Sequence, residues 1–135
     1  AEISYENYIN RVLIEARTMV DMVAKQIKPA VINYAKSVAD SVISLNAAGA
    51  DAEVEKELLK NITDNITEMD KAYKKLRAEI DKSSEIEGIK EKAFFVKDHI
   101  FTTMSELRKP ADELEMLVSE ECWPFPTYGD LLFYS

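Results

Sequence analysis

Apolar side chains recur every three or four residues through the first third of the chain. Their spacings follow a 3-4-4 pattern, an 11-residue repeat of about 3.67 residues per turn, which keeps these side chains on one side of an α-helix. The pattern predicts an amphipathic helix over residues 4–45. The stripe consists of Tyr5, Tyr8, Val12, Ala16, Met19, Val23, Ile27, Ala30, Tyr34 and Val38, and it continues through Val42 and Leu45.

Pro29 lies in the middle of this stripe. A proline in a helix interior removes one backbone hydrogen bond and costs about 3 kcal/mol. Because the stripe keeps the same phase on both sides of Pro29, we predict one helix with a kink. Two separate helices that meet at Pro29 are the alternative.

A short polar segment follows the first stripe and predicts a reversal of the chain. The sequence Asn46-Ala47-Ala48-Gly49 suits a helix C-terminus, because glycine readily adopts the left-handed conformation that commonly ends a helix. Asp51 then offers a carboxylate oxygen as the N-cap of a second helix. We expect the two helices to form an antiparallel hairpin.

Two more stripes predict helices over residues 52–82 and 86–121. Asp70 and Lys74 are four residues apart and are expected to pair on the outside of the second helix. Pro110 lies inside the third stripe without changing its phase. The second stripe consists of Val54, Leu58, Ile62, Ile66, Met69, Tyr73, Leu76 and Ile80, and the third of Ile89, Ala93, Val96, Ile100, Met104, Leu107, Ala111, Leu114 and Val118. We therefore predict an all-α fold, an antiparallel bundle of three long helices made of a helical hairpin and a third helix.

The last residues, 123–135, break with the helical pattern, because Pro124 and Pro126 preclude a helix there. We divide the chain into a helical bundle, 1–122, and an aromatic tail, 123–135. The aromatic residues of the tail are Trp123, Phe125, Tyr128, Phe133 and Tyr134. Such side chains are costly to leave in water. The tail therefore either folds back on the bundle or docks on a surface outside this chain.

Charge and composition argue against two classes of partner. The formal net charge is -8, and the 17 Lys and Arg residues are interspersed among 25 Asp and Glu residues without the basic block that nucleic acid or an anionic membrane requires. No apolar run approaches the roughly 20 residues of a membrane span. The single cysteine, Cys122, is typical of a reducing compartment. We expect a soluble, cytoplasmic protein.

No residue pattern predicts a catalytic, cofactor-binding or metal site. His99 is the only histidine, so it cannot build a bundle metal centre that needs Glu-x-x-His pairs from two helices. Phosphotransfer through His99 is conceivable, but we favour an ordinary, partly exposed histidine. Cys122 has acidic neighbours, Glu120 and Glu121, rather than a base that would activate its thiol, and we predict that it is a buried or packing cysteine.

Several motifs at both ends of the chain resemble one enzyme family. Near the end they are Leu107-Arg108, Asp112-Glu113-Leu114-Glu115 and the run Trp123 to Phe133, WPFPTYGDLLF; near the start they are Tyr5-Glu6-Asn7-Tyr8, Ile14-Glu15-Ala16, Thr18-Met19, and Ile27-Lys28-Pro29-Ala30 with Tyr34. These motifs resemble the C-terminal region of type III glutamine synthetases. The segment around residues 46–84 is generic helix and adds little to the resemblance.

The resemblance implies a role within a larger enzyme. That family makes glutamine from glutamate, ammonia and ATP with divalent metal ions such as Mg²⁺, in a large double-ring oligomer. Its binding residues lie on a catalytic domain upstream, so no catalytic residue is carried over to this chain. The resemblance implies a non-catalytic helical domain whose partners are the enzyme's own catalytic domain and neighbouring subunits. We expect the aromatic tail to thread back onto the catalytic core.

A free-standing adaptor is the competing class of protein. Long amphipathic helices and an aromatic tail also suit a module that captures a partner helix or inserts its tail into a groove. The chain begins at Ala1 with neither an initiator methionine nor a signal-peptide pattern. We expect this start to be either an artificial boundary or the start of an excised segment.

Overall fold

The computed structural model describes residues 4–125, and all regular secondary structure in this range is helical. Helix α1 spans residues 5–47, α2 spans Glu53–Ser83, and α3 spans residues 89–117. Short turns join the helices, so α2 runs antiparallel to both of its neighbours. The prediction of an all-α bundle of three long helices is confirmed. No helix within the described range is both long enough and apolar enough to cross a lipid bilayer.

Helix α1 begins at a side-chain cap and continues past Pro29. The backbone N–H of Asn7 donates to Oγ of Ser4 at 3.1 Å, which satisfies one of the free N–H groups at the helix start. The middle of α1 is a π-helical segment, Val23–Ile27, after which the α-helix resumes over Lys28–Ala47. The prediction of one helix across Pro29 is confirmed, and the alternative of two separate helices is wrong.

The π-helical segment explains how α1 accommodates Pro29. The backbone N–H of Lys28 donates to the carbonyl of Val23, five residues earlier, instead of the four-residue spacing of an α-helix. This wider turn directly precedes the proline, where the pyrrolidine ring would otherwise meet the preceding turn. Pro29 thus lies in the first turn of the next α-helical segment, where the fixed φ of proline is favourable.

The turn after α1 has the predicted left-handed cap. Gly49 has a φ of 83°. Its backbone N–H donates to the carbonyl of Asn46 at 3.0 Å, and that of Ala50 donates to the carbonyl of Leu45 at 2.9 Å. These two bonds form a Schellman motif, which satisfies carbonyl groups at the helix end.

The start of α2 differs from the prediction by one residue. The N-cap is Ala52, and no side chain caps the helix, so the predicted N-cap role of Asp51 is wrong. The Ala52 side chain is fully buried, which favours placing this residue rather than Asp51 against the bundle. Glu53 and Glu55 in the first turn still place negative charge near the positive end of the helix dipole.

Helix α3 is shorter than the predicted range 86–121 at both ends. It begins at Ile89, because Gly88 is in an extended conformation with a ψ of 124°. It ends at Leu117, because Val118 is extended with a ψ of 141°. Residues beyond this point turn back towards the bundle.

Helix α3 accommodates its proline differently from α1. Its π-helical segment, Val96–Phe101, ends well before Pro110, so no wide turn adjoins the proline. Pro110 lies inside the α-helical segment Thr102–Leu117, and its ring is buried. Burial of the ring in the bundle helps to offset the lost backbone hydrogen bond.

The three apolar stripes meet in one core that runs along the bundle. Every stripe position is buried or half-buried except Tyr5, Val54 and Ile89, which are 46%, 76% and 49% exposed. Each of these is the first residue of its stripe, at a helix start where few neighbours cover it. The largest fully buried side chains come from all three helices and include Val12, Ile62, Met69, Leu76, Ile100, Leu107 and Leu114.

Candidate functional site

His99 lies on the outer side of the π-helical segment of α3, with 57% of its side chain exposed. Its ring contacts that of Phe95, with centroids 4.8 Å apart. Its Nδ1 is 3.9 Å from Oε2 of Glu79 on α2, whose side chain is only 13% exposed. Within the described residues, no donor reaches the buried Oε1 of Glu79. One histidine beside one carboxylate does not make the set of nucleophile, base and orienting group that covalent catalysis requires.

Cys122 is exposed in a turn near the end of the described residues, with exposed Glu120 and Glu121 beside it, so the prediction of a buried or packing cysteine is wrong. Across residues 4–125, no three His, Cys, Asp or Glu side chains come together in a way that could hold a metal ion. The described residues therefore show no carboxylate cluster of the kind that holds Mg²⁺. No catalytic step is derived from these residues.

The first two aromatic residues of the tail pack against the bundle. Trp123 is 8% exposed and belongs to the core, and the half-buried Phe125 meets it edge to face, with ring centroids 6.3 Å apart. The indole Nε1 of Trp123 is buried and has no acceptor among the described residues. The other three predicted tail residues, Tyr128, Phe133 and Tyr134, lie outside the described residues.

A groove of about 560 Å³ lies between α1 and α3, and Trp123 forms part of its wall. We call it the α1–α3 groove. Its apolar lining consists of Ile14, Met19, Met22, Val23 and Ile27 from α1 and Phe101, Met104, Leu107 and Ala111 from α3, and its exposed charged side chains are Glu15, Arg108, Asp112 and Glu115. Sequence reasoning placed several of these residues on core stripes but did not predict a groove. The one available signal was the clustering of methionines, which adapt to irregular surfaces.

A second cleft, of about 780 Å³, lies between α2 and α3 and is mainly lined by polar residues. Nζ of Lys75 on α2 is 3.2 Å from Oε2 of Glu106 on α3, which bridges the two helices. The remaining charged side chains of the cleft are Glu68, Lys71, Lys109 and Glu113. Because both signs of charge are mixed along it, the cleft does not select an ionic ligand.

A charged cluster joins α1 to α2 next to Pro29. Nζ of Lys28 pairs with Oδ1 of Asp70 and lies 4.2 Å from the centre of the Tyr73 ring. Nζ of Lys74 is 3.0 Å from Oδ2 of Asp70, which confirms the predicted pair on α2. Hydrogen bonds from Lys28 and Lys74 hold the pKa of the Asp70 carboxyl below its ordinary value. The cluster stabilises the hairpin and contains no group with a catalytic arrangement.

Comparison with known proteins finds relatives along the chain. Residues 1–46 match the glutamine synthetase C-terminal domain. The chain is 32% identical over 134 residues to a glutamine synthetase of Butyrivibrio fibrisolvens, 27% identical over 138 residues to one of Bacteroides fragilis, and 28% identical over 138 residues to a type-3 glutamine synthetase of Dictyostelium discoideum. No solved structure matches the chain significantly.

These alignments cover 98% of the chain but only 19% of the length of each relative. The matched region thus includes the middle of the chain as well as the two ends that carry the motifs. The resemblance inferred from those motifs is confirmed. The chain is thus similar over nearly its whole length to glutamine synthetases, a type-3 enzyme among them, and its residues 1–46 match the glutamine synthetase C-terminal domain.

Proposed function

We propose that this chain acts as the non-catalytic helical domain of a glutamate–ammonia ligase, an enzyme that makes glutamine with ATP and a divalent metal such as Mg²⁺ in the cytoplasm. The observation that carries the proposal is that 98% of the chain aligns with a segment that makes up only 19% of the length of a glutamine synthetase. The described bundle offers no metal cluster within residues 4–125. The binding of glutamate, metal and nucleotide is therefore assigned to a catalytic domain elsewhere in the enzyme.

The domain's role in this proposal is structural: it supports the catalytic domain or shapes contacts between subunits of a homo-oligomer. An exposed aromatic pair supports this role. The rings of Tyr5 on α1 and Phe94 on α3 are 6.4 Å apart, and the two residues are 46% and 47% exposed. Aromatic residues are enriched in protein–protein interfaces because they bury a large area. The pair is therefore a candidate contact with the rest of the enzyme.

The test is a double substitution, Tyr5→Asp with Phe94→Asp, in the full-length enzyme. We expect a change in oligomer size by size-exclusion chromatography and a loss of glutamine formation, because charge at this pair would oppose burial. The matched control is Ile43→Asp, which places the same charge at a residue that is 67% exposed on another part of α1. Unchanged oligomer size and turnover in the double variant would contradict a structural role for this pair.

The same alignment argues against a free-standing adaptor. An adaptor would resemble other binding modules over its length, whereas this chain aligns from end to end with one segment of an enzyme. Phosphotransfer through His99 also lacks support, because no basic side chain that could hold a phosphoryl group is paired with it among the described residues; its recorded ionic contact is Oε2 of Glu79 at 3.9 Å. An enzyme with His99→Gln is expected to keep its activity.

A further inference from the structure

The α1–α3 groove has accessible apolar side chains among the described residues. Ile14 on its α1 wall is 63% exposed, and Phe101 on its α3 wall is 51% exposed. Met19 and Met22 in the same lining are half-buried. Exposed apolar surface of this kind, with charged residues around it, marks a site of interaction with another protein segment.

The groove has the dimensions of a helix-binding site. Helices α1 and α3 run parallel, because each is antiparallel to α2, so a further helix can lie along both of them at once. Along α1 the lining extends from Ile14 to Ile27, which corresponds to about 20 Å, or about four turns, at the helical rise. Methionine side chains are flexible and adapt to the shape of a bound helix.

The rim of the groove is acidic. It has three exposed carboxylates, those of Glu15, Asp112 and Glu115, and one exposed guanidinium, that of Arg108. Within residues 4–125, no ion pair joins any of these four groups to another group. The rim therefore attracts positive charge on a partner and repels negative charge.

Charge also distinguishes between the possible occupants. A second copy of this chain has the same acidic rim and a formal net charge of -8, so its approach would bring like charges together. Residues 126–135 include Asp130 and no Lys or Arg, so they offer no complementary charge either. A helix with basic residues beside its apolar stripe matches both the lining and the rim of the groove.

We propose that the α1–α3 groove binds an amphipathic α-helix of about four turns, with its apolar stripe in the groove and its Lys or Arg side chains beside Glu15, Asp112 and Glu115. The helix belongs to another part of the same enzyme, so this assignment rests on the proposed function. It names the kind of segment that the domain supports. Binding adds a fourth helix to the bundle.

Photo-cross-linking of the purified full-length enzyme tests the proposal. The photoreactive amino acid benzoylphenylalanine replaces Phe101, and mass spectrometry identifies the peptide that becomes bonded to it. We expect a peptide from outside this chain's 135 residues, in which apolar residues recur every three or four positions and are flanked by Lys or Arg. The control places benzoylphenylalanine at Ile43, which is 67% exposed and does not line the groove. Its yield should be lower by about tenfold, because no bound helix holds a target within reach.

Three results would overturn the proposal. The first is a cross-linked peptide without Lys or Arg. The second is a peptide from residues 1–135 of the same chain or of a second copy, because the occupant would then be the tail or another bundle. The third is a yield at position 101 that is no higher than the yield at position 43.

Reversal of charge at the rim tests the complementarity directly. With benzoylphenylalanine at position 101, Glu15→Lys together with Glu115→Lys should lower the cross-linking yield by about tenfold, because the rim would repel a basic helix. The control is Glu57→Lys together with Glu85→Lys, which makes the same change in net charge at exposed residues outside the groove. Equal yields in the two variants would overturn the proposal.

A failure of this proposal differs from a failure of the proposed function. If the domain has no structural role, the full-length Tyr5→Asp, Phe94→Asp variant keeps its oligomer size and turnover. If only the assignment of the groove is wrong, that variant still changes the oligomer, whereas the cross-link from position 101 does not reach a basic helix.

Discussion

Lys28, the residue before Pro29 in α1, forms an ion pair with Asp70 in the middle of α2. The lysine follows directly on the π-helical segment Val23–Ile27, and it also lies over the ring of Tyr73. The wide turn that accommodates the proline thus adjoins the polar contact that joins α1 to α2. The Lys28–Asp70 ion pair therefore holds α1 against α2 next to the position where a proline would otherwise weaken α1.

The contribution of Asp70 to stability should depend on pH. Because its folded-state pKa lies below the ordinary value, ionised Asp70 stabilises the fold above an unfolded pKa of about 3.9, and this contribution is lost as pH falls through the folded-state pKa. We predict that Asp70→Asn lowers the free energy of unfolding by about 1 kcal/mol at neutral pH. Urea denaturation should show that this difference disappears in acid.

The control for Asp70 is Asp40→Asn. Asp40 pairs with Lys36 at 2.9 Å, but these side chains are 59% and 75% exposed. Such an exposed pair within one helix is screened by water and contributes little to stability. A loss for Asp70→Asn that equals the loss for Asp40→Asn, or that persists unchanged in acid, would contradict the role assigned to the cluster.

Replacing Pro29 by alanine should change stability little. Pro29 is exposed, so no core packing is lost. Because the π-helical turn already accommodates the ring, we predict that Pro29→Ala changes the free energy of unfolding by less than about 1 kcal/mol. A baseline for an exposed alanine in α1 comes from Ser37→Ala. A gain near 3 kcal/mol, the full cost of proline in a regular helix, would show that the turn does not relieve the strain.

The core of the bundle should be sensitive to truncation at Leu76. This residue of α2 is fully buried among side chains of the other helices. We predict that Leu76→Ala lowers the free energy of unfolding by about 2–5 kcal/mol, because it leaves a cavity. The comparison is Ile43→Ala at a residue that is 67% exposed, for which about 0.5 kcal/mol or less is expected. Similar losses at the two positions by chemical denaturation would contradict the described core.

Neutralising Glu79 should stabilise the fold. Its Oε1 is buried without a donor among the described residues, and His99 is 3.9 Å from Oε2. A buried carboxylate without donors is destabilising, so Glu79→Gln is predicted to raise the free energy of unfolding by about 1 kcal/mol at neutral pH. Glu57→Gln, at an exposed position of α2, controls for the change in net charge. A lower thermal midpoint for Glu79→Gln than for the control would count against this interpretation.

The sequence predicted the helices and their buried sides well, because helical periodicity is a direct record of which side faces the core. The stripes correctly included Ile62, Leu76 and Leu107. They wrongly predicted burial of Tyr5 and Val54, because periodicity does not show that a side chain at a helix start has few neighbours. The N-cap at Asp51 failed for a related reason: burial of the neighbouring alanine, not local capping chemistry, sets where α2 begins.

The π-helical segments and the α1–α3 groove were not predictable from the pattern. A single wide turn changes the hydrogen bonding of Lys28, but no particular residue type in the sequence indicates such a turn. Pro29 indicated only that the helix must be distorted nearby. The groove depends on how far apart α1 and α3 pack, which a one-dimensional stripe does not contain. The family motifs supplied what periodicity lacked, namely the resemblance to one segment of a larger enzyme.

The most direct test of the account is the size of the native polypeptide. An antibody raised against this chain is used to probe an immunoblot of extract from the cells that produce it. The chain has a mass of 15.3 kDa and aligns with 19% of the length of its relatives. If the whole protein has the length of these relatives, its mass is roughly 80 kDa (15.3 divided by 0.19). A band of about that size is the predicted result. A single band near 15 kDa would contradict the assignment to a glutamine synthetase and would indicate a free-standing helical protein.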